Sequence, residues 1–219
     1  MTIFHPPSII YEPENKAKFC IIWLHGLGAN GADLVPIMES LNFSEGLAIK
    51  SIFPDAPIRP VTINGGYEMR AWYDIKTGDL KDKIDISGIN ESAKFVEDLI
   101  YEQVNCGIPL HKIFIAGFSQ GGVIALDCAL GMKKKIAGVI CLSTYLAEKK
   151  GSGEGLNVFF AHGSNDSIVS LELAKKSMSQ LQSLGAKVMW QVYEMDHSIC
   201  REETIKLSEW IVKISRLHK

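Results

Sequence analysis

The chain has 219 residues, 47% of them hydrophobic and 22% charged, with a formal net charge of −2 at pH 7. That length fits one domain with a substantial buried core, expected to run over 1–219. No basic run exceeds Lys133-Lys134-Lys135, which excludes nucleic acid as the main partner because phosphate binding needs concentrated positive charge.

The first seven residues, Met1 to Pro7, lack a basic stretch followed by an apolar one, so no signal peptide is expected. No apolar run is long enough to span a bilayer. The five cysteines (Cys20, Cys106, Cys128, Cys141, Cys200) have no C-x-x-C pair, which implies free thiols and a cytoplasmic location. Cys128 and Cys141 fall in apolar segments and read as small core residues.

Strand-like and helix-like runs then alternate, the mark of an α/β fold with a mostly parallel sheet. Phe19–Leu24 is a near-continuous apolar strand that ends in His25-Gly26-Leu27-Gly28. Ala48–Phe53 is the next strand. Pro54 to Ile84 is a long excursion rich in Pro, Gly and aromatics, too apolar for a disordered loop and read as a cover over a site. Ile89, Ala93, Val96, Ile100 and Val104 recur at helical spacing, with Ser87 placed to cap and Gly107 and Pro109 to stop.

Lys112–Ala116 is a strand that runs into Gly117-Phe118-Ser119-Gln120-Gly121-Gly122, with helix-like Val123–Leu130 behind it. A serine between glycines at a sharp strand-to-helix turn has the form of a nucleophile elbow, which lifts the hydroxyl clear of the backbone. Ile136–Leu142, Asn157–Ala161 and Lys187–Tyr193 are further strands, and Thr144 to Leu156 is a second long loop. Ala174, Met178, Leu181 and Leu184 make a helical stripe that ends at Gly185, and Leu207, Trp210, Ile214 and Leu217 make the last one.

An attacking serine needs a base, and the base needs an acid to fix its tautomer. His5, His111 and His218 lie at the termini or in polar turns. Elbow hydrolases place the acid and then the histidine after the serine in chain order. That order excludes His25, and His162 has no acid on a strand end between it and Ser119. His197 fits as the base, with Asp166 as its acid. Each then lies beyond the C-terminal end of a strand, where open α/β sheets build their sites. Asp196 is a rival acid, disfavoured because adjacent side chains seldom face each other, and Asp127 reads as a structural helix residue. The oxyanion needs fixed N–H donors. The amide of Gln120 opens the helix after the elbow, and the amide of Leu27 follows the first apolar strand, with His25 holding that loop in shape.

These motifs together carry a resemblance. Leu24-His25-Gly26-Leu27-Gly28, Arg59-Pro60-Val61-Thr62, Trp72-Tyr73-Asp74-Ile75, Ser87-Gly88-Ile89, Gly117-Phe118-Ser119-Gln120-Gly121-Gly122 and His197-Ser198-x-Cys200 run in order over nearly the whole chain. The set resembles the phospholipase/carboxylesterase family of α/β-hydrolases, which includes acyl-protein thioesterases and small carboxylesterases. The resemblance implies an α/β-hydrolase fold with a mostly parallel central sheet, helices on both faces and no large cap. It also implies cleavage of carboxylic esters or thioesters through an acyl-serine, with neither metal nor cofactor. The substrate would be a small acyl ester, a lysolipid or an acylated protein. Trp72, Ile75, Tyr145 and Val169, apolar residues on loops near the strand ends, are the expected walls of an acyl site, and the apolar cover could serve a homodimer.

The chain departs from the family pattern at Ser167 and Ser170, where prolines are common in the acid loop, and at Ala147, again in place of proline. These changes should loosen both loops. Two readings compete with the esterase. A lysophospholipase predicts an amphipathic or basic interfacial segment, and none is evident. A non-catalytic scaffold that binds an acyl ligand or a partner would leave Ser119 unreactive.

Overall fold

In the computed structural model, which describes residues 8–43, 47–148 and 150–217, all six apolar runs expected as strands lie in one sheet. His5 and His218 fall outside the described residues. In chain order the strands are β1 (Ser8–Tyr11), β2 (Phe19–Leu24), β3 (Ile49–Pro54), β4 (Ile58–Val61), β5 (Tyr67–Arg70), β6 (Ile113–Phe118), β7 (Gly138–Leu142), β8 (Asn157–Gly163) and β9 (Lys187–Tyr193). The main sheet has the order β1-β3-β2-β6-β7-β8-β9. Every pairing in it is parallel except that of β1 with β3. β4 and β5 pair separately as an antiparallel hairpin inside the 54–84 excursion.

The helices are α1 (Val35–Glu39), α2 (Ile86–Asn105), α3 (Gln120–Gly131), α4 (Leu171–Ser183) and α5 (Arg201–Arg216). Strand side chains alternate between two cores, as the pleat requires. Ile22, Leu24, Ile115, Val139, Cys141 and Phe160 face α2, α3 and α4. Ile21, Trp23, Phe114, Ile140 and Phe159 face α5, where Leu207, Trp210, Ile211 and Ile214 cover them. Each large apolar side chain fully removed from water contributes about 1.5–3 kcal/mol. With both faces covered, the middle strands are apolar at every position, as their sequences are.

Several local expectations shift. Helix α2 is capped by Asp85 rather than Ser87: its carboxylate accepts from the Gly88 amide and also from that of Asp74. Ser87 sits inside the first turn. Leu217 lies past the end of α5 and is exposed, so the last stripe stops at Ile214. The acid loop is held despite its serines, because Ser170 caps α4 by accepting from the Leu173 amide at 3.2 Å.

Candidate active site

Chain order reverses between β2 and β6: β3 lies on one side of β2 and β6 on the other. Open α/β sheets bind their ligands at such a switch point, beyond the carboxyl ends of the strands. The register sets Leu24 of β2 opposite Gly117 of β6. The loop at Gly26–Gly28 and the turn at Ser119 therefore leave the sheet side by side.

The turn at Ser119 is strained, with φ 51° and ψ −118°. Non-glycine residues adopt positive φ at a cost of about 1–3 kcal/mol, which the surroundings must offset. Here the Ser119 amide donates to the Leu142 carbonyl at 2.9 Å. The Thr144 hydroxyl donates to the Ser119 carbonyl at 2.7 Å. Side chains are excluded around it: a Cβ on Gly117 would lie 2.3 Å from the backbone of Gly121, and one on Gly121 would lie 2.2 Å from the Leu24 carbonyl oxygen. Gly121 thus lets the start of α3 rest directly on the end of β2.

His197, between β9 and α5, packs its ring on Phe118 with centroids 4.9 Å apart. Its Nδ1 lies 2.7 Å from Oδ2 of Asp166. The other carboxylate oxygen, Oδ1, accepts from the amides of Ile168 and Val169, both at 2.9 Å. The Asp166 side chain is fully shielded from solvent, whereas Asp196 is exposed. The acid and histidine loops are joined through Asn165, whose amide donates to the Met195 carbonyl at 3.1 Å. Gly163 permits that approach, since a Cβ there would lie 2.3 Å from the Met195 carbonyl oxygen.

The remaining buried histidines, His25 and His162, face other partners. Nδ1 of His25 is 2.7 Å from the Gly26 carbonyl, so it carries the proton, and Nε2 accepts from the Ala56 amide at 2.9 Å. His162 donates from Nε2 to the Val169 carbonyl at 2.7 Å and lies 3.4 Å from Oδ2 of Asp166. Burial lowers the pKa of both rings, which favours the neutral forms that these bonds describe. Asp127 pairs with Lys150 at 2.8 Å, a structural contact remote from this site.

Ser119, His197, His25 and Leu27 line one cavity of about 460 Å³, with Leu34, Ile37, Phe118, Ile168 and Ile199 among its apolar walls. Gln120 is buried at the N-terminus of α3, where amides point outward and the helix dipole favours negative charge. Among the described residues, neither its amide nor that of Leu27 has an acceptor.

Four expected wall residues lie elsewhere. Trp72, Tyr145 and Val169 are buried, and none of them lines this cavity. Ile75 and Tyr145 instead border a separate small recess with Tyr73 and Leu80. The reason is local. Asp166 binds the Val169 amide and turns that residue inward, leaving its neighbour Ile168 at the mouth, 63% exposed. Tyr145 is held by the Tyr73 hydroxyl at 2.9 Å, and Trp72 is consumed by hydrogen bonds to both sides of the site. Ile168 and Ile199 were hidden in sequence, though each sits within two residues of a motif residue. Leu34 and Ile37 belong to a 3-10 turn and to α1, which carry no helical repeat long enough to detect.

Comparison with known proteins shows relatives along nearly the whole chain. The sequence model described as "Phospholipase/Carboxylesterase" matches residues 5–215. Acyl-protein thioesterase 1 of Cryptococcus neoformans is 33% identical over 226 aligned positions, covering 92% of this chain and 94% of that protein. Acyl-protein thioesterase 1 of Debaryomyces hansenii is 35% identical, covering 90% of this chain and 92% of its own. Among solved structures, Arabidopsis thaliana SOBER1 superposes with a TM-score of 0.85 at 29% identity, over 91% of this chain and all of that one. Zea mays acyl-protein thioesterase 2 gives 0.83 at 26% identity, over 95% of this chain and 99% of that one.

Proposed function

Since this chain belongs to the phospholipase/carboxylesterase family, we propose that it is a serine hydrolase of carboxylic esters and thioesters, with 1–219 as one α/β-hydrolase domain. Ser119 attacks the acyl carbonyl while Nε2 of His197 takes its proton. His197 then returns that proton to the departing alcohol or thiol, and afterwards activates water to release the acid. Asp166 accepts a hydrogen bond from Nδ1–H of His197, which leaves Nε2 unprotonated as the base and stabilises the imidazolium that forms. The amides of Leu27 and Gln120 hold the negative oxygen, a contribution of about 10²–10³ in rate for each donor.

The observation that carries this reading is the 2.7 Å contact from His197 to a shielded Asp166, with His197 and Ser119 on one cavity wall. The apolar walls suit an acyl chain, and the relatives named as acyl-protein thioesterases support thioesters beside esters. The test is Ser119→Ala. It should abolish cleavage of p-nitrophenyl esters and labelling by a fluorophosphonate probe, with circular dichroism unchanged. Substantial residual turnover overturns the reading, and an unlabelled wild-type protein favours the non-catalytic scaffold.

A further inference from the structure

The excursion expected to wall the substrate site instead ties its two halves together. On one side, the indole N–H of Trp72 donates to the His25 carbonyl at 2.9 Å. The Gly28 amide donates to the Arg70 carbonyl at 2.8 Å. These two bonds bracket Leu27. On the other side, the Gln120 side chain reads the same strap: Oε1 accepts from the Trp72 amide and Nε2 donates to the Tyr73 carbonyl, both at 2.8 Å. The Ser92 hydroxyl on α2 completes the set by donating to the Trp72 carbonyl. Every polar group of Trp72 is thereby used, and the ring, fully buried, stacks on Phe95 at 6.3 Å.

We infer that Trp72 is a positioning residue: with Arg70 and the Gln120 side chain, it forms a crossbar that sets the spacing between the Leu27 and Gln120 amides. The inference rests on the hydrolase reading, since those amides matter only if an oxyanion forms between them. The physical argument is one of constraint. Leu27 lies on a half-buried loop, and Gln120 opens a helix from a different strand. Gly121 brings the two elements into contact, but a backbone contact alone leaves the loop free to turn. Bonds at His25 and Gly28, on either side of Leu27, remove that freedom. Both lead to a strap that Gln120 itself holds.

The test uses the full-length protein with Trp72→Phe, Gln120→Met and the double variant. Phenylalanine keeps an aromatic ring and deletes the bond to His25; methionine keeps the length of glutamine and deletes both bonds to the strap. Each single variant should lose about 10- to 100-fold in kcat on a short p-nitrophenyl ester, less than outright removal of a donor. KM should move by less than about threefold, because the loss falls on the transition state. Affinity for an alkyl trifluoromethyl ketone, which forms a charged tetrahedral adduct, should fall in step with kcat/KM. The double variant should be at most about threefold worse than the poorer single one, since both release the same crossbar.

Unchanged kcat in folded variants, losses confined to KM, or losses that multiply would each overturn the inference. Should Trp72→Phe fail to fold, the kcat and KM of Gln120→Met decide alone. A wild-type protein that neither turns over the ester nor takes up the fluorophosphonate instead sinks the hydrolase reading beneath it.

Discussion

Replacing Asp166 by asparagine separates the two acids that sequence leaves in competition. Oδ1 of Asp166 accepts two backbone amides while Oδ2 faces Nδ1 of His197. An asparagine could keep either arrangement of oxygen and nitrogen. Turning its NH₂ toward the amides of Ile168 and Val169 would oppose donor to donor and leave both N–H groups unpaired, at about 1–3 kcal/mol for the buried one on Val169 and less for the half-buried one on Ile168. The oxygen therefore stays on the amides, and the NH₂ points at His197. That ring must then present an unprotonated Nδ1 and carry its proton on Nε2, the tautomer that cannot accept from Ser119. The loss expected from this inversion is about 10⁴ in kcat, or about 5.5 kcal/mol of barrier. Steady-state rates on a short p-nitrophenyl ester, with a thermal melt to show that the fold persists, measure it directly. Asp196→Asn, at an exposed position, should change kcat by less than about threefold, a surface substitution in effect. If the Asp196 variant is the crippled one, or Asp166→Asn keeps a tenth of the rate, the assignment of the acid is wrong.

Two further predictions concern stability. Burial raises the Glu203 carboxyl to about 8, whereas in an unfolded chain it titrates near about 4.3. Between those values the folded protein holds a proton the unfolded chain has lost. Stability from this group is therefore complete below the lower value, falls as pH rises through the window and is gone above the upper one. Glu203→Gln should flatten the fall in Tm between pH 5 and pH 8.5, by about 5 °C or more relative to wild type; parallel profiles would refute it. Gly121→Ala drives a Cβ to within 2.2 Å of the Leu24 carbonyl oxygen, whereas at Gly131 nothing lies within 4 Å. Denaturant unfolding should show the first losing about 3 kcal/mol or more and the second gaining up to about 1 kcal/mol. Equal effects would mean that the contact with β2 is not tight.

The strands and the long helices were legible because burial writes a period into sequence. β2, β6 and β7 are apolar throughout since helices cover both faces, and α2 repeats Ile89, Ala93, Val96 and Ile100 because only one of its faces is covered. What escaped detection lacks that signal. β1 is four residues long and exposed at each of them; α1 is five residues long and contains no buried residue. The hairpin of β4 and β5 pairs only with itself, so its strands never acquire the unbroken apolar run of the main sheet. The choice of Ser87 as a cap failed for a related reason. Asp85 serves two amides at once, and the second, on Asp74, is distant in sequence and unpredictable from local pattern.

The site divides along the same line. Ser119 follows from the glycine-flanked elbow, Asp166 and His197 from chain order and strand ends, and Leu27 and Gln120 from the turns that leave two of those strands, all features of a parallel sheet that survive large changes in its loops. The expected wall residues rest on apolar character and on loop positions near the strand ends, and none of the four lines the cavity at Ser119. An indole on a loop beside a site can meet a substrate, or it can turn inward if its N–H finds an acceptor. For Trp72 the acceptor is the carbonyl of His25, which is free to face it because the His25 ring satisfies its own two nitrogens on Gly26 and Ala56. Sequence shows each of these residues and none of the bonds between them. Two of the side chains that do meet the cavity, Ile168 and Ile199, are set by the turns that present Asp166 and His197. Changes at those two positions should therefore alter acyl preference before they alter the chemistry, while changes in the 70–73 strap should act on kcat first.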